Sequence, residues 1–216
     1  MRYYRIYILL FFFIFVTSNC FSQIKNDKYS PVSKINYDSI PPADLKNSGL
    51  NGIFISPILG MEFPVPKFTN TSKSGVTYGV KLEYANFNLY PFILGVIYQY
   101  QKNGGDENYL TTNLLNSLDT KINSFGVSID VILNKYLKSH FTIPFLVMEF
   151  KYLSIQKVIS PVPNNLNIKT SDNTFGITGG LGFTLNIFDI YGTYTYAKDY
   201  SSAGLKMRIH FPIIKF

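Results

Sequence analysis

Apolar and polar residues alternate with a period of two in segment after segment beyond residue 50. In the clearest segment, one parity is apolar and carries Val76, Tyr78, Val80, Leu82 and Tyr84. The other parity is polar or small and carries Thr77, Gly79, Lys81, Glu83 and Ala85. Successive side chains of a strand point to opposite faces, so the pattern predicts strands with one apolar and one polar face.

Eight segments of this kind follow one another along the chain. They span residues 52–63, 76–85, 90–101, 124–131, 141–155, 174–185, 188–197 and 203–211. The first six links between them alternate in length, with long ones at 64–74, 102–117 and 156–172 and short ones near 88, 134–139 and 187. This alternation is typical of an antiparallel barrel whose long loops share one end. Pro57 and Pro144 lie inside the first and fifth segments, and because proline within a strand often marks a bulge, the register there stays open.

The amino-acid composition points to a membrane. Charged residues make up 15% of the chain, against roughly 25% in soluble domains. No apolar run reaches the ~20 residues that a membrane-spanning helix needs, whereas a barrel strand exposes apolar side chains to lipid at every second position only. The polar parity of residues 174–184 holds only threonine and glycine, which suit a narrow lumen. The sequence therefore predicts an all-β fold, an eight-stranded antiparallel transmembrane up-and-down β-barrel, over residues 51–216.

A few charged residues share the parity that this fold turns inward. They are Lys81, Glu83, Asp130, Lys206 and Arg208. Unpaired charges in a closed interior are costly, so we hypothesise that these side chains pair across the lumen. The alternative is that some of them lie at the wet ends of the lumen and pair with nothing.

The N-terminal residues resemble an export signal. Arg2 and Arg5 precede an apolar run over residues 6–16, and small or polar residues follow. Residues 1–22 are therefore predicted to be a cleaved signal peptide, and the polar, turn-rich residues 23–50 a flexible periplasmic leader. Cys20, the only cysteine, is lost with that cleavage; the alternative is that Cys20 is the lipidated first residue of a lipoprotein.

The C-terminal segment carries a family resemblance. Leu205, Met207, Ile209 and Phe211 alternate, and an aromatic residue, Phe216, ends the sequence. Over residues 51–216 the chain resembles the OmpA/OmpX-type and PorT-like outer-membrane β-barrel families. The resemblance implies residence in the cell outer membrane, contact with outer-membrane lipid, and recognition of Phe211 and Phe216 by the barrel-assembly machinery. Phe216 is out of parity with Phe211, so the assembly signal is either displaced or lies beyond a bulge.

No motif in the sequence specifies a reaction. His140, followed by Phe141-Thr142, only faintly resembles the His-x-Ser of barrel lipid A deacylases, and the sequence places neither it nor His210 beside a nucleophile. We expect no enzyme activity, no cofactor, no metal site and no nucleic-acid partner. The expected function is a structural or interaction scaffold that meets extracellular or secretion-system proteins through loops 102–117 and 156–172. Two alternatives stay open: a PorT-like accessory protein in secretion or envelope assembly, and a lipid-modifying barrel enzyme.

Overall fold

A computed structural model describes residues 51–134, 137, 142–161 and 169–215. The predictions made for the signal peptide (1–22) and the leader (23–50) lie outside these residues, as do those for Cys20, His140 and Phe216. Within the described part of the chain, no helix is both long and apolar enough to cross a bilayer.

The strands form one closed antiparallel sheet. They are β1 (Gly52–Pro64), β2 (Ser72–Ala85), β3 (Phe92–Gly105), β4 (Ser117–Ile132), β5 (Ile143–Ser160), β6 (Ser171–Leu185), β7 (Phe188–Ala197), β8 (Ser202–Ile209) and β9 (Phe211–Lys215). Each pairs with the next along the chain up to β8, and β1 pairs with both β2 and β8. Strand β9 continues β8 along the same edge of β1 after an interruption at His210. The eight-stranded up-and-down barrel predicted from the sequence is therefore confirmed.

The strands extend further than the alternation predicted. Strand β3 continues to Gly105 and β5 to Ser160, so the first residues of the predicted loops 102–117 and 156–172 are paired strand. Polar residues 102–105 broke the apolar pattern, but strand pairing uses backbone groups that every residue except proline can supply. What remains of the first of these loops contains a short helix, α1 (Glu107–Thr112), which Asp106 caps.

The register is regular at both prolines that lie inside strands. Pro57 is opposite Val80, and Pro144 is opposite Phe183, without a shift at either position. A shift occurs instead in β9, where Ile53 is opposite Ile214 and Phe54 is opposite Pro212, so that Ile213 has no partner on β1. A bulge between Phe211 and Phe216 was one of the two alternatives that the sequence left open for the assembly signal.

The connections divide the barrel into two ends. The end that carries connections 65–71, 106–116, 161–170 and 198–201 is called the loop end. The end that carries connections 86–91, 133–142 and 186–187, together with Asn51 and Lys215, is called the turn end.

The apolar parity points out of the barrel and the polar parity points in. Leu82 is 49% exposed whereas its neighbour Lys81 is 0% exposed, and the same contrast recurs around the wall. The lumen is so narrow that some inward positions have room only for glycine. A Cβ atom at inward Gly180 would lie 2.8 Å from Cγ1 of Val147, whereas one at outward Gly179 would meet nothing within 4 Å. Side chains therefore fill the interior, as in other eight-stranded barrels.

Candidate functional site: the filled lumen and its two ends

Ionised side chains from several strands meet inside the lumen, towards its turn end, in an arrangement that we call the central ion cluster. Its members are Lys81, Glu83, Asp130, Asp189 and Arg208, each no more than 3% exposed. Arg208 Nη1 lies 2.9 Å from Glu83 Oε1 and 2.8 Å from Asp130 Oδ2. Its Nε donates to Asp189 Oδ2 at 2.8 Å. Lys81 Nζ donates to both oxygens of Asp130, at 2.8 and 2.7 Å. One guanidinium thus joins carboxylates from three strands, which its fixed fork of donors suits.

Two aromatic rings hold the guanidinium of Arg208 in place. Its Cζ lies 5.3 Å from the ring centroid of Phe145 and 5.4 Å from that of Tyr191. Both rings are buried in the lumen. The negative faces of aromatic rings attract a desolvated cation, so these contacts add to the attraction of the carboxylates.

A second group of ion pairs lies nearer the loop end. Lys206 Nζ is 2.9 Å from Glu62 Oε1, and Lys151 Nζ is 2.8 Å from Glu149 Oε2. The structure thus brings together four of the five charged residues singled out from the sequence, whereas the fifth, Lys206, pairs with Glu62 on a neighbouring strand. Sequence reasoning missed four charged residues of the lumen, Glu62, Glu149, Lys151 and Asp189. In β5, apolar residues such as Val147 also point inward, so polarity does not distinguish the inward from the outward positions of that strand.

His210 completes the charge balance. Its Nδ1 lies 2.7 Å from Glu83 Oε2, and its Nε2 lies 2.8 Å from Asp189 Oδ2. Because ionised carboxylate oxygens only accept, both contacts are satisfied as hydrogen bonds when the two ring nitrogens carry hydrogen, which is the imidazolium form. Among the described residues, the buried carboxylates of the lumen are Glu62, Glu83, Asp130, Glu149 and Asp189, and the cations are Lys81, Lys151, Lys206, Arg208 and His210. The interior therefore carries equal numbers of opposite charges.

Ser56, His210 and Asp189 together have the composition of a hydrolytic triad, but their arrangement does not support nucleophilic chemistry. Ser56 Oγ lies 3.1 Å from His210 Nδ1, but its hydroxyl donates to Glu83 Oε2 at 2.5 Å, and Ser56 is 0% exposed. His210 is already a donor through both nitrogens, so it has no lone pair with which to take a proton from the serine. The contacts of these residues serve to neutralise buried charge.

An apolar plug closes the loop end of the lumen. Phe68, from the connection between β1 and β2, packs edge-on against Tyr200 with ring centroids 5.6 Å apart. Both rings are buried together with Ile122, Leu153, Ile155 and Ala197. Phe68 lies in a segment without periodicity, so no pattern in the sequence indicated that its side chain would enter the barrel.

The turn end of the lumen is concave. A cavity of about 280 Å³ lies there, with apolar walls that include Phe54, Ile132 and Ile187. Arg208 and His210 lie at its floor. The plug and the central ion cluster separate this cavity from the loop end, so the described lumen is a cup closed on one side.

The predicted assembly signal is described only in part. Phe211 points outward from the barrel, is 47% exposed, and is opposite Ile55 on β1. Recognition of Phe211 and Phe216 by the assembly machinery stays a prediction.

Comparison with known proteins gives structural matches only. No protein-family model matches the sequence, and no curated protein matches it. Crystal structures with some likeness include Neisserial surface protein A (NspA), with a TM-score of 0.47 and 14% identity, covering 74% of this chain and 98% of NspA. Ail of Yersinia pestis gives 0.42 and 16%, covering 74% of this chain and 99% of Ail. The N-terminal β-barrel domain of OprF of Pseudomonas aeruginosa gives 0.39 and 11%, covering 74% and 98%.

The geometry of this chain itself places it in a membrane. A closed barrel satisfies its backbone hydrogen bonds without water, and this one turns a continuous apolar surface outward and its charges inward. Along β3 the outward apolar residues run from Phe92 to Tyr100, a stretch of nine residues, and a tilted membrane-spanning strand needs ~9–11 residues. The chain is therefore a small integral β-barrel protein of the outer membrane.

Proposed function

We propose that this barrel is a rigid scaffold that presents its loop end to binding partners outside the cell. The observation that carries the proposal is the closed lumen. With the apolar plug at the loop end and the central ion cluster below it, side chains of the described residues fill the interior, as expected for eight strands. The loop end is then the surface on which the barrel can act, and long loops of such barrels face the outside.

Backbone hydrogen bonds hold the connections of the loop end in one conformation before a partner binds. Val65 N donates to Ser201 O at 3.0 Å, and Asp106 N donates to Thr71 O at 3.1 Å. Asn116 N donates to Ser160 O at 2.7 Å. Loops that are fixed before binding lose less conformational freedom when a partner arrives, which favours affinity.

A polar cleft between the first connection and helix α1 is the candidate contact site. Its volume is about 400 Å³, and it is lined by Thr69, Asn70, Asp106, Asn108, Tyr109, Thr112 and Asn113. Amides and hydroxyls supply both donors and acceptors, and Tyr109 adds a ring. Such a lining suits a polar partner surface.

Site-specific photo-crosslinking in living cells tests the scaffold proposal. A photo-reactive amino acid at Asn108 or Thr112, on α1, is expected to give a discrete adduct with a partner protein. The same amino acid at Asn88, in a turn-end connection, is the matched control and is expected to give no such adduct outside the cell. Absence of any discrete adduct from the α1 positions, on cells that display the folded barrel, would contradict the proposal.

A second candidate function is accessory work in secretion or envelope assembly, on the periplasmic side. The turn-end cavity favours it, because a concave surface at the end of the barrel opposite the long loops is where a periplasmic partner would dock. Filling the cavity by Ile132→Trp should then cause an export defect, whereas the scaffold function at the loop end should be unchanged. Normal export in cells that carry a folded Ile132→Trp barrel would dismiss this candidate.

A further inference from the structure

Three lysines line the outward face of the barrel just beyond its apolar surface. They are Lys73 on β2, Lys102 on β3 and Lys121 on β4, and we call them the lysine row. The side chain of Lys73 crosses the outward face of Gly104, since its Cε would lie 2.9 Å from a Cβ atom there. The three strands are consecutive neighbours in the sheet, so the lysine row is continuous.

Within the lysine row, charge is not balanced. Lys102 and Lys121 are directly opposite each other across β3 and β4. Like charges in directly opposed positions destabilise a sheet. Asp119 compensates one of them, with its Oδ2 2.9 Å from Lys102 Nζ. Within the described residues Lys73 and Lys121 have no ion-pair partner, so this surface carries excess positive charge where no protein group neutralises it.

The height of the lysine row matches the lipid headgroups. Lys102 follows Tyr100 by two residues on the same face of β3, about 7 Å further along the strand. The ring of Tyr100 contacts that of Tyr78 at a tilt of 41°, with centroids 5.1 Å apart, and the ring centroids of Tyr152 and Phe175 are 5.5 Å apart. Aromatic residues at this level mark the boundary between acyl chains and headgroups. The ammonium groups therefore lie at the depth of headgroup phosphates.

We infer that the lysine row binds the phosphate groups of an anionic lipid in the leaflet at the loop end. The apolar surface directly below continues the site, so a lipid can place its acyl chains on Val96 and Tyr98 while its phosphates meet the lysines. That continuity favours a lipid over free phosphate. The inference depends on the membrane position of the barrel and is independent of the proposed loop contacts, so either can fail without the other.

Lipid titration of the reconstituted barrel tests the inference. The full mature chain is placed in nanodiscs of phosphatidylcholine and titrated with bisphosphorylated lipid A or with its dephosphorylated form. The double variant K102Q/K121Q is expected to bind the phosphorylated lipid about thirty-fold more weakly, at roughly five-fold for each lysine near the surface. Binding is also expected to weaken as salt is raised.

Two further variants separate the lysine row from general surface charge. The matched control K67Q/K169Q removes two other exposed loop-end lysines and is expected to leave binding unchanged. Asp119→Asn removes the carboxylate that competes for Lys102 and is expected to tighten binding, which a purely structural role of these residues would not produce.

Three results would overturn the inference: equal affinity of K102Q/K121Q and the parent barrel, equal binding of the dephosphorylated lipid, or full displacement by inorganic phosphate at concentrations near that of the lipid. The last result would assign the site to phosphate alone.

Discussion

Arg208→Met is expected to destabilise the barrel by about 3–5 kcal/mol, since it removes one partner of a buried charge pair. The guanidinium contacts Glu83, Asp130 and Asp189. With methionine in its place, these carboxylates keep only Lys81 and His210 as close cations. The measurement is urea-induced unfolding of the barrel in detergent micelles or lipid vesicles, followed by the shift in electrophoretic mobility between folded and unfolded forms.

Two control experiments test whether the loss of stability in Arg208→Met comes from the central ion cluster. Lys67→Met breaks an exposed ion pair with Asp199 and is expected to cost about 0–1 kcal/mol. The double variant R208M/E83Q should lose less stability than the sum of the two single variants, because removing Glu83 also removes a carboxylate that Arg208 neutralised. Strictly additive losses, or an R208M barrel as stable as the parent, would show that the central ion cluster is not coupled.

Val96→Arg is expected to destabilise the barrel in a bilayer by about 2–4 kcal/mol, because it places a cation near the middle of the lipid-facing surface. Val96 is 44% exposed on β3, halfway between Phe92 and Tyr100, and is opposite Val127 on β4. The energetic cost arises from desolvation of the guanidinium by acyl chains, and it should be measured by unfolding from vesicles.

The matched control for Val96→Arg is a change of the same type outside the apolar surface. Val158→Arg lies near the loop end of β5, outward and opposite Asp119, and is expected to cost about 0–1 kcal/mol as for interfacial positions. If Val96→Arg proved as harmless as Val158→Arg, the face that carries Val96 would not be in contact with lipid.

The alternation of polar and apolar positions along each strand made part of the structure predictable from the sequence. The segment 188–197 coincides with β7, and Lys81, Glu83, Asp130 and Arg208 all point inward as their positions required. Parity is a local property of each strand, so a sequence reading can assign inward and outward faces without knowing which strands are neighbours.

Which inward side chains meet is set by closure of the barrel, and the sequence does not show it. Asp189 on β7 is directly opposite Arg208 on β8. Barrel closure through β1 then brings Glu83 on β2 to the same level, where His210 spans between Asp189 and Glu83. The position of Phe68 could not be predicted from the alternation either, because it depends on how a connection folds back over the lumen.

Spin-label accessibility along β3 tests the central claim most directly. Single cysteines at positions 94 to 100, introduced into a chain that lacks Cys20, would be labelled and reconstituted in vesicles. The account predicts high collision rates with oxygen, which dissolves in the acyl region, at Leu94, Val96 and Tyr98, and low rates at Gly95, Ile97 and Gln99. High collision rates with a water-soluble nickel reagent at Leu94, Val96 and Tyr98 would contradict it, because the apolar face would then be in water.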